Sequence, residues 1–276
     1  MLADNGDAFT INNLFSLEGK TVLITGGTSG LGLVMAEGML RNNASVVIAS
    51  RKQAACDAAA EALAPLGKVQ ALSADISNAE GRSKLVDFVR NEVGELNVLI
   101  NNAGTNYAAK LEDYPDAGFE KVMNTNLSAV FSLTRDLTPF LAKSASKDDP
   151  SRVINIGSMD GLHVPVVQRI PTFAYSASKA GLHHLTRALA VHMAAKNITV
   201  NAVAPGFFES KMTDYIFDNY MEDIEADCPL KRIGKPEEIV GIVAYLMSRA
   251  GAYTNGTTIP VDGGTNISKG HRDWLD

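Results

Sequence analysis

Cysteine is scarce. Cys56 and Cys228 are the only two among 276 residues, they lie far apart, and neither has a His/Cys cluster at ligand spacing. That leaves no disulfide framework and no zinc pattern. The five histidines, His163, His183, His184, His192 and His271, form no metal motif either. Positive charge is also in deficit, with 25 Lys and Arg against 31 Asp and Glu and a formal charge of −6. The basic residues are dispersed, so the chain lacks the electrostatic footprint of a nucleic-acid binder. No apolar run approaches the length of a membrane span. Met1 to Asn13 has neither the basic start nor the apolar core of a signal peptide, so a cytoplasmic protein is the expectation. Nor does a Pro/Ser/Gly-rich linker or a charge block divide the chain. Residues 1–276 therefore read as one large α/β domain.

What is present alternates. Short apolar runs at Lys20–Thr25, Ser45–Ser50, Val69–Leu72, Leu96–Ile100, Arg152–Ile156, Thr199–Val203 and Thr257–Val261 are separated by segments of helical period. Continuous β-branched runs without polar alternation suit strands covered on both faces, and the order argues a doubly wound parallel sheet. The first run passes directly into Thr25-Gly26-Gly27-Thr28-Ser29-Gly30-Leu31-Gly32 and then into Leu33–Leu40, which has the composition of a helix. Strand, glycine-rich turn and helix form the context in which a pyrophosphate meets bare N–H groups at a helix N-terminus. Gly26 suits the tight turn, Gly30 the close approach of phosphate, and Gly32 the packing of helix on strand.

The second strand ends at Ser50-Arg51-Lys52. An acidic residue at this place binds the ribose 2′-hydroxyl of NAD, whereas an arginine accommodates a 2′-phosphate. The acid is missing and the base is present, which predicts NADP(H) in preference to NAD(H).

Ser158 follows the run Val153–Ile156, at the carboxyl end of a strand where open α/β sheets bind ligands. Gly157-Ser158-Met159-Asp160-Gly161 is not the G-x-S-x-G elbow of a serine hydrolase, and no Asp then His follows in clear triad order and context. Further on, Tyr175 and Lys179 are four apart and share a helix face. A free phenol titrates at about 10, so the expectation is that the ammonium lowers it toward the working range of an acid/base catalyst.

Thr25-Gly26-x-x-x-Gly30-x-Gly32, Asn101-Asn102-Ala103-Gly104, Ser158, Tyr175-x-x-x-Lys179 and Pro205-Gly206 occur in an order and at spacings that resemble the short-chain dehydrogenase/reductase family. The resemblance spans Phe15 to Ile267. It implies a single-domain Rossmann-type sheet with strand order 3-2-1-4-5-6-7 and helices on both faces. The implied chemistry is hydride transfer between a nicotinamide cofactor and a ketone or secondary alcohol. By position, Ser158 would orient the substrate oxygen and Tyr175 would move the proton. Lys179 would bind the nicotinamide ribose and lower the phenol, and Asn126 would hold a water that links Lys179 to solvent. Asn124 is the rival for the last role. The cofactor would lie against Gly26, Thr28, Ser29, Gly30, Leu31, Gly32, Ser50 and Arg51. Asp75 and Ile76 would meet the adenine, and Asn102, Ala103 and Gly104 the adenosine ribose. Pro205, Gly206, Phe208 and Ser210 would surround the nicotinamide. A helix N-cap is the competing use of Asp75.

The segment 207–232 corresponds to the family's variable lid, in which Met212, Ile216 and Tyr220 recur at a spacing of four. Met159, Asp160, His163, Phe207 and Met212 are the candidate substrate contacts. The interval from Ser158 to Tyr175 is longer than the family pattern, with Val166–Pro171 as extra loop. In appearance the chain is most similar to NADPH-dependent 3-oxoacyl reductases of the rhamnolipid-synthesis type. That likeness lies in Asn101–Thr105, Ser144–Ser158, Gly251–Tyr253 and Ile259–Gly264. Polyol, sugar, cyclic-ketone and steroid substrates are the alternatives. A catalytically idle nucleotide-binding regulator would lack one of the four catalytic positions, and the set is complete. Family members commonly assemble as tetramers through helices that fall here at 116–142 and 175–196.

Overall fold

The computed structural model describes residues 9–165, 170–210 and 213–268. Seven strands, β1 (Thr21–Thr25), β2 (Ser45–Ser50), β3 (Val69–Ser73), β4 (Val98–Asn101), β5 (Ser151–Ile156), β6 (Ile198–Pro205) and β7 (Thr258–Val261), form one parallel sheet in the order β3-β2-β1-β4-β5-β6-β7. The helices are α1 (Ile11–Leu14), α2 (Gly30–Arg41), α3 (Gln53–Leu63), α4 (Ala79–Phe88), α5 (Asp116–Met123), α6 (Ala129–Ser144), α7 (Phe173–Met193), α8 (Asp214–Asp227) and α9 (Pro236–Met247). This is the expected Rossmann-type architecture, with helices on both faces of the sheet.

Alternate strand residues feed two cores. Val22, Ile24, Val46, Ile48, Ile100 and Ile154 pack with Met35 and Met39 of α2 and with Ile239 and Val243 of α9. Leu23, Val47, Leu99, Val153 and Val200 point the other way, onto Leu133, Leu137 and Leu141 of α6 and Ala190 and Met193 of α7. Period-two geometry turns one β-branched run into two buried faces, which is why no polar alternation is visible in the sequence. Each fully buried aliphatic side chain contributes about 1.5–3 kcal/mol, enough in sum to fix the register.

Strand order reverses between β1 and β4, which hydrogen-bond side by side while the chain proceeds outward in both directions. The crevice at the carboxyl ends of these strands is where a doubly wound sheet takes its ligand. Among the described residues no helix is long and apolar enough to cross a membrane. No group of three or more His, Cys, Asp or Glu is placed there to hold a metal ion. Both cysteines are buried free thiols.

Candidate active site

The carboxyl edge of the sheet opens into a cavity of about 380 Å³. Its first wall is the turn from β1 to α2. Gly26 has φ +67°, a left-handed conformation that a side chain would strain. A β-carbon on Gly32 would overlap the Gly26 carbonyl oxygen and lie 2.5 Å from Asn102 Nδ2, so α2 can start against this turn only with glycine there. Asn102 locks the arrangement from β4, donating through Nδ2 to the carbonyls of Thr25 (2.9 Å) and Gly26 (3.2 Å). The Thr25 hydroxyl accepts from the N–H groups of Asn102 and Ala103. Ser29 occupies the N-cap of α2 without a side-chain capping bond. The helix thus presents its free N–H groups and positive dipole end to the cavity.

A second wall comes from the ends of β2 and β3. Thr28 donates to the Ser50 hydroxyl (3.0 Å), and Arg51, exposed and without an acidic neighbour in sequence, reaches the same cavity. Asp75 is not the N-cap of α4. That place belongs to Asn78, whose Oδ1 accepts from Gly81 N. Asp75 instead forms a local turn, accepting from both the N–H (3.0 Å) and the hydroxyl (2.7 Å) of Ser77. Burial acts to raise its carboxyl, but the Ser77 bonds and the Arg51 guanidinium prevail and hold it below its ordinary value.

The third wall is the proton-handling side. β5 delivers Ser158, whose hydroxyl accepts from Asp160 N (3.1 Å) and is hydrogen-bonded to the Tyr175 phenol. α7 supplies Tyr175 and, one turn on, Lys179, whose Nζ lies 5.5 Å from the Tyr175 ring centroid. The ammonium donates to the Ile156 carbonyl at 2.6 Å. The helix from α5 to α6 is interrupted at Asn124–Ser128 by a π-turn, a deformation that re-aims a side chain. Asn126, inside that turn and buried, accepts from Thr105 N and donates to Thr105 O, both at 2.9 Å, and to Ser178 Oγ at 3.1 Å. Asn124 points elsewhere, to the Ser77 carbonyl.

One expectation about this wall is corrected. The Tyr175 phenol is not lowered but pushed up to about 12, by burial first and then by the nearby Asp160 carboxylate, against the Ser158 bond that favours the phenolate. Burial also presses Lys179 down to about 8. Removing both groups from water disfavours each charged form, and with its Nζ 5.5 Å from the ring centroid and bonded to the Ile156 carbonyl, the ammonium does not overcome that cost. Tyr175 is therefore a neutral acid, ready to give a proton.

Every residue expected to touch the cofactor, from Gly26 to Ser210, lines this one cavity, together with Ser158. The substrate candidates are more scattered. Met159 is buried beside Gly206. Asp160 is within electrostatic reach of Tyr175, and His163 Nδ1 is bonded to the Met159 carbonyl at 3.0 Å. Phe207 lines a separate cavity of about 380 Å³ behind α8 and stacks edge-on against Phe217. Met212 and residues 166–169 of the extra loop lie outside the described residues. Phe208 turns its ring into the protein, 4% exposed, and its carbonyl accepts from Thr213 Oγ1 at 2.9 Å. The hydroxyl of Ser210 also pairs with Thr213 Oγ1 (3.1 Å). Thr213, Thr105 and Ser178 are organising residues that sequence reasoning missed, since nothing in their local spacing marks them.

The donor set fits a phosphorylated dinucleotide. A glycine cradle that any β-carbon would fill, an uncapped helix N-terminus and an arginine at the end of β2 occupy one continuous cleft.

Comparison with known proteins points the same way. A protein-family profile described as Enoyl-(Acyl carrier protein) reductase matches residues 26–266. The rhamnolipids biosynthesis 3-oxoacyl-[acyl-carrier-protein] reductase of Pseudomonas aeruginosa is 42% identical over 255 residues, which cover 92% of this chain and 98% of that protein. Dehydrogenase/reductase SDR family member 4 of Caenorhabditis elegans is 35% identical over 262 residues, 92% of this chain and 97% of that protein. The RhlG/NADP active-site complex of Pseudomonas aeruginosa superposes with a TM-score of 0.88 at 42% identity, over 92% of this chain and 99% of its own. The glycine turn, the β5 serine and the Tyr175/Lys179 pair thus sit in a chain that belongs to the short-chain dehydrogenase/reductase family of oxidoreductases.

Proposed function

We propose that this protein is an NADP(H)-dependent reductase that converts a ketone to a secondary alcohol, with a 3-oxoacyl thioester as the substrate class. The observation that carries the reading is the convergence of Ser158, Tyr175 and Lys179 on the cleft that also holds the glycine cradle and Arg51. Bound in that cleft, NADPH supplies the hydride. Ser158 hydrogen-bonds the substrate oxygen and fixes its direction, and Tyr175 donates its phenolic proton to that oxygen as the negative charge develops. Lys179, anchored on Ile156, reaches the ribose side of the cleft. Asn126, tied to Thr105, holds a water that links Lys179 to solvent. Asp75 and Ile76 would hold the adenine, Asn102 to Gly104 the adenosine ribose, and Pro205, Gly206, Phe208 and Ser210 the nicotinamide, all of them lining the one cavity. The 3-oxoacyl class is supported by the relative from Pseudomonas aeruginosa whose name carries that activity.

The segment 207–232 serves as the substrate lid of a single catalytic domain. Ile216, Phe217 and Tyr220 of α8 are half-buried and give that lid its apolar side, while Met159, Asp160 and His163 are the candidate contacts from the turn after β5. Exposed Phe131 on α6 and Val191 on α7 suit contact with further copies of the chain in a cytoplasmic homo-oligomer. The test is NADPH and NADH oxidation by the purified protein against an acetoacetyl thioester, an aromatic ketone, a diketone, a ketosugar and a ketosteroid. The thioester is expected to give the highest kcat/KM, and a higher value for any other class would replace it.

The cofactor preference has its own check. Arg51→Asp removes a charge-assisted fork and places a carboxylate against the 2′-phosphate, so kcat/KM with NADPH is expected to fall about 10–100-fold while that with NADH holds or rises. An unchanged NADPH/NADH ratio would assign the 2′-phosphate to other residues.

A further inference from the structure

Helix α7 carries two adjacent histidines with different surroundings. His184 is exposed and lies 3.0 Å from Arg187. His183 is 4% exposed and stands one turn beyond Lys179 on the same face of the helix. Neither of its ring nitrogens makes a well-formed hydrogen bond among the described residues, and the acceptor beside the ring, the Gly161 carbonyl, is poorly aligned with it. A buried polar group so poorly partnered is costly, and it needs a reason other than its hydrogen bonds.

The reason lies in what the ring touches. The imidazole is wedged behind the turn that follows β5. A β-carbon on Gly157 would overlap its Nε2, and one on Gly161 would sit 2.8 Å from its Cε1. These two glycines bracket Ser158. Gly157 N–H is tied to the Val203 carbonyl at 2.7 Å and Gly161 N–H to the Ser158 carbonyl at 3.0 Å. The turn therefore has its back against His183 and its front, the Ser158 hydroxyl, in the cavity. Burial pushes the imidazole down to about 4 against the opposing pull of the Gly161 carbonyl, and the charges of Lys179 and Arg187 add to the lowering. The ring is neutral at ordinary pH and acts through its shape.

We infer that His183 is a positioning residue: packed against Gly157 and Gly161, its ring sets the height at which the Ser158 hydroxyl meets the Tyr175 phenol. The inference rests on Ser158 and Tyr175 being the reacting pair of the proposed ketone reduction. It also makes positions 157 and 183 trade volume. With His183 present, a β-carbon at position 157 must displace the ring, and without it a space opens behind Ser158 that a methyl at 157 would occupy, 3.2 Å from the Val203 carbonyl.

The experiment measures ketone-reduction kcat and KM, NADPH affinity, pH profile and melting temperature for His183→Ala, Gly157→Ala and the double variant. His183→Ala is expected to lower kcat about tenfold or more, since displacing a reacting group by a fraction of an ångström is costly. NADPH affinity and the shape of the pH–rate profile stay as in the wild type. Gly157→Ala alone loses kcat through collision with the ring. The double variant recovers most of the lost kcat, a non-additivity that separate structural damage would not produce. Wild-type kcat in His183→Ala, a double variant no better than the product of the two losses, or a shifted pH profile would overturn the inference. Should His183→Ala fail to fold, Gly157→Ala decides, because full kcat there contradicts the wedge. A wild-type protein that binds NADPH yet reduces no ketone would instead overturn the proposed reaction and, with it, this inference.

Discussion

Replacing Tyr175 by phenylalanine is expected to remove ketone reduction while leaving the cofactor bound. The phenol is the group that the geometry provides for protonating the substrate oxygen, held by Ser158 at the carboxyl edge of β5. A positioned general acid contributes about 10²–10⁴-fold, so kcat should fall by that factor. The ring itself remains, so the wall of the cavity is unchanged and NADPH affinity, measured by fluorescence titration, should match the wild type. Activity within a fewfold of wild type would transfer the proton-donating role to another group. The direction of the pKa adds a second expectation. Because burial and Asp160 raise the phenol to about 12, the acid form persists across the whole neutral range. Reduction should then show no loss from phenol ionisation up to about pH 10. Alcohol oxidation needs the phenolate, so it should climb steadily with pH over the same interval.

The comparison of sequence and structure has a physical pattern. The strands were legible because burial on both faces forces continuous apolar runs. The β2 expectation, Ser45–Ser50, coincides with the observed strand. At β4 the expected run began at Leu96, but the ladder begins at Val98. Leu96 is fully buried, yet its N–H bonds the Phe140 carbonyl at the end of α6, and Asn97 Oδ1 accepts from Thr21 N. An apolar residue in the core and an apolar residue in a strand look alike in sequence. The pairing of Tyr175 with Lys179 was legible because a helix fixes a spacing of four. The electrostatic outcome was not. Proximity follows from local geometry, whereas desolvation depends on how many distant segments close over the pair. Position 183 shows the same limit. His183 and His184 are equivalent in composition, and only the packing of α7 on the turn after β5 decides which of them is enclosed. Thr213 and Ser178 escaped notice for that reason too, since their partners are supplied by the tertiary fold and, at Thr213, by a turn with no motif of its own.

Lys179→Met should separate stability from function in opposite directions. The ammonium is 4% exposed and burial holds it near 8 against an ordinary 10.5. A difference of that size corresponds to a folding cost on the order of 3 kcal/mol while the group is charged in both states. The sign follows from proton counting. Below about pH 8 both folded and unfolded chains carry the proton and the cost is present in full. Between about 8 and 10.5 the unfolded chain binds more protons than the folded one, so wild-type stability rises with pH, and above 10.5 the cost is gone. Methionine fills similar volume without charge, but it leaves the Ile156 carbonyl without its donor, at about 1–3 kcal/mol. The net gain at pH 7 is then on the order of 1 kcal/mol, or about 2–4 °C in melting temperature. Raising the pH toward 10 should shrink that gain. Turnover should meanwhile fall about 10²-fold or more, because the ribose side of the cleft and the neighbourhood of the Tyr175 phenol lose a buried cation. A variant that loses both activity and stability at pH 7 would mean that the bond to Ile156 outweighs the buried charge. Lys179 would then be a structural tie as much as a functional group.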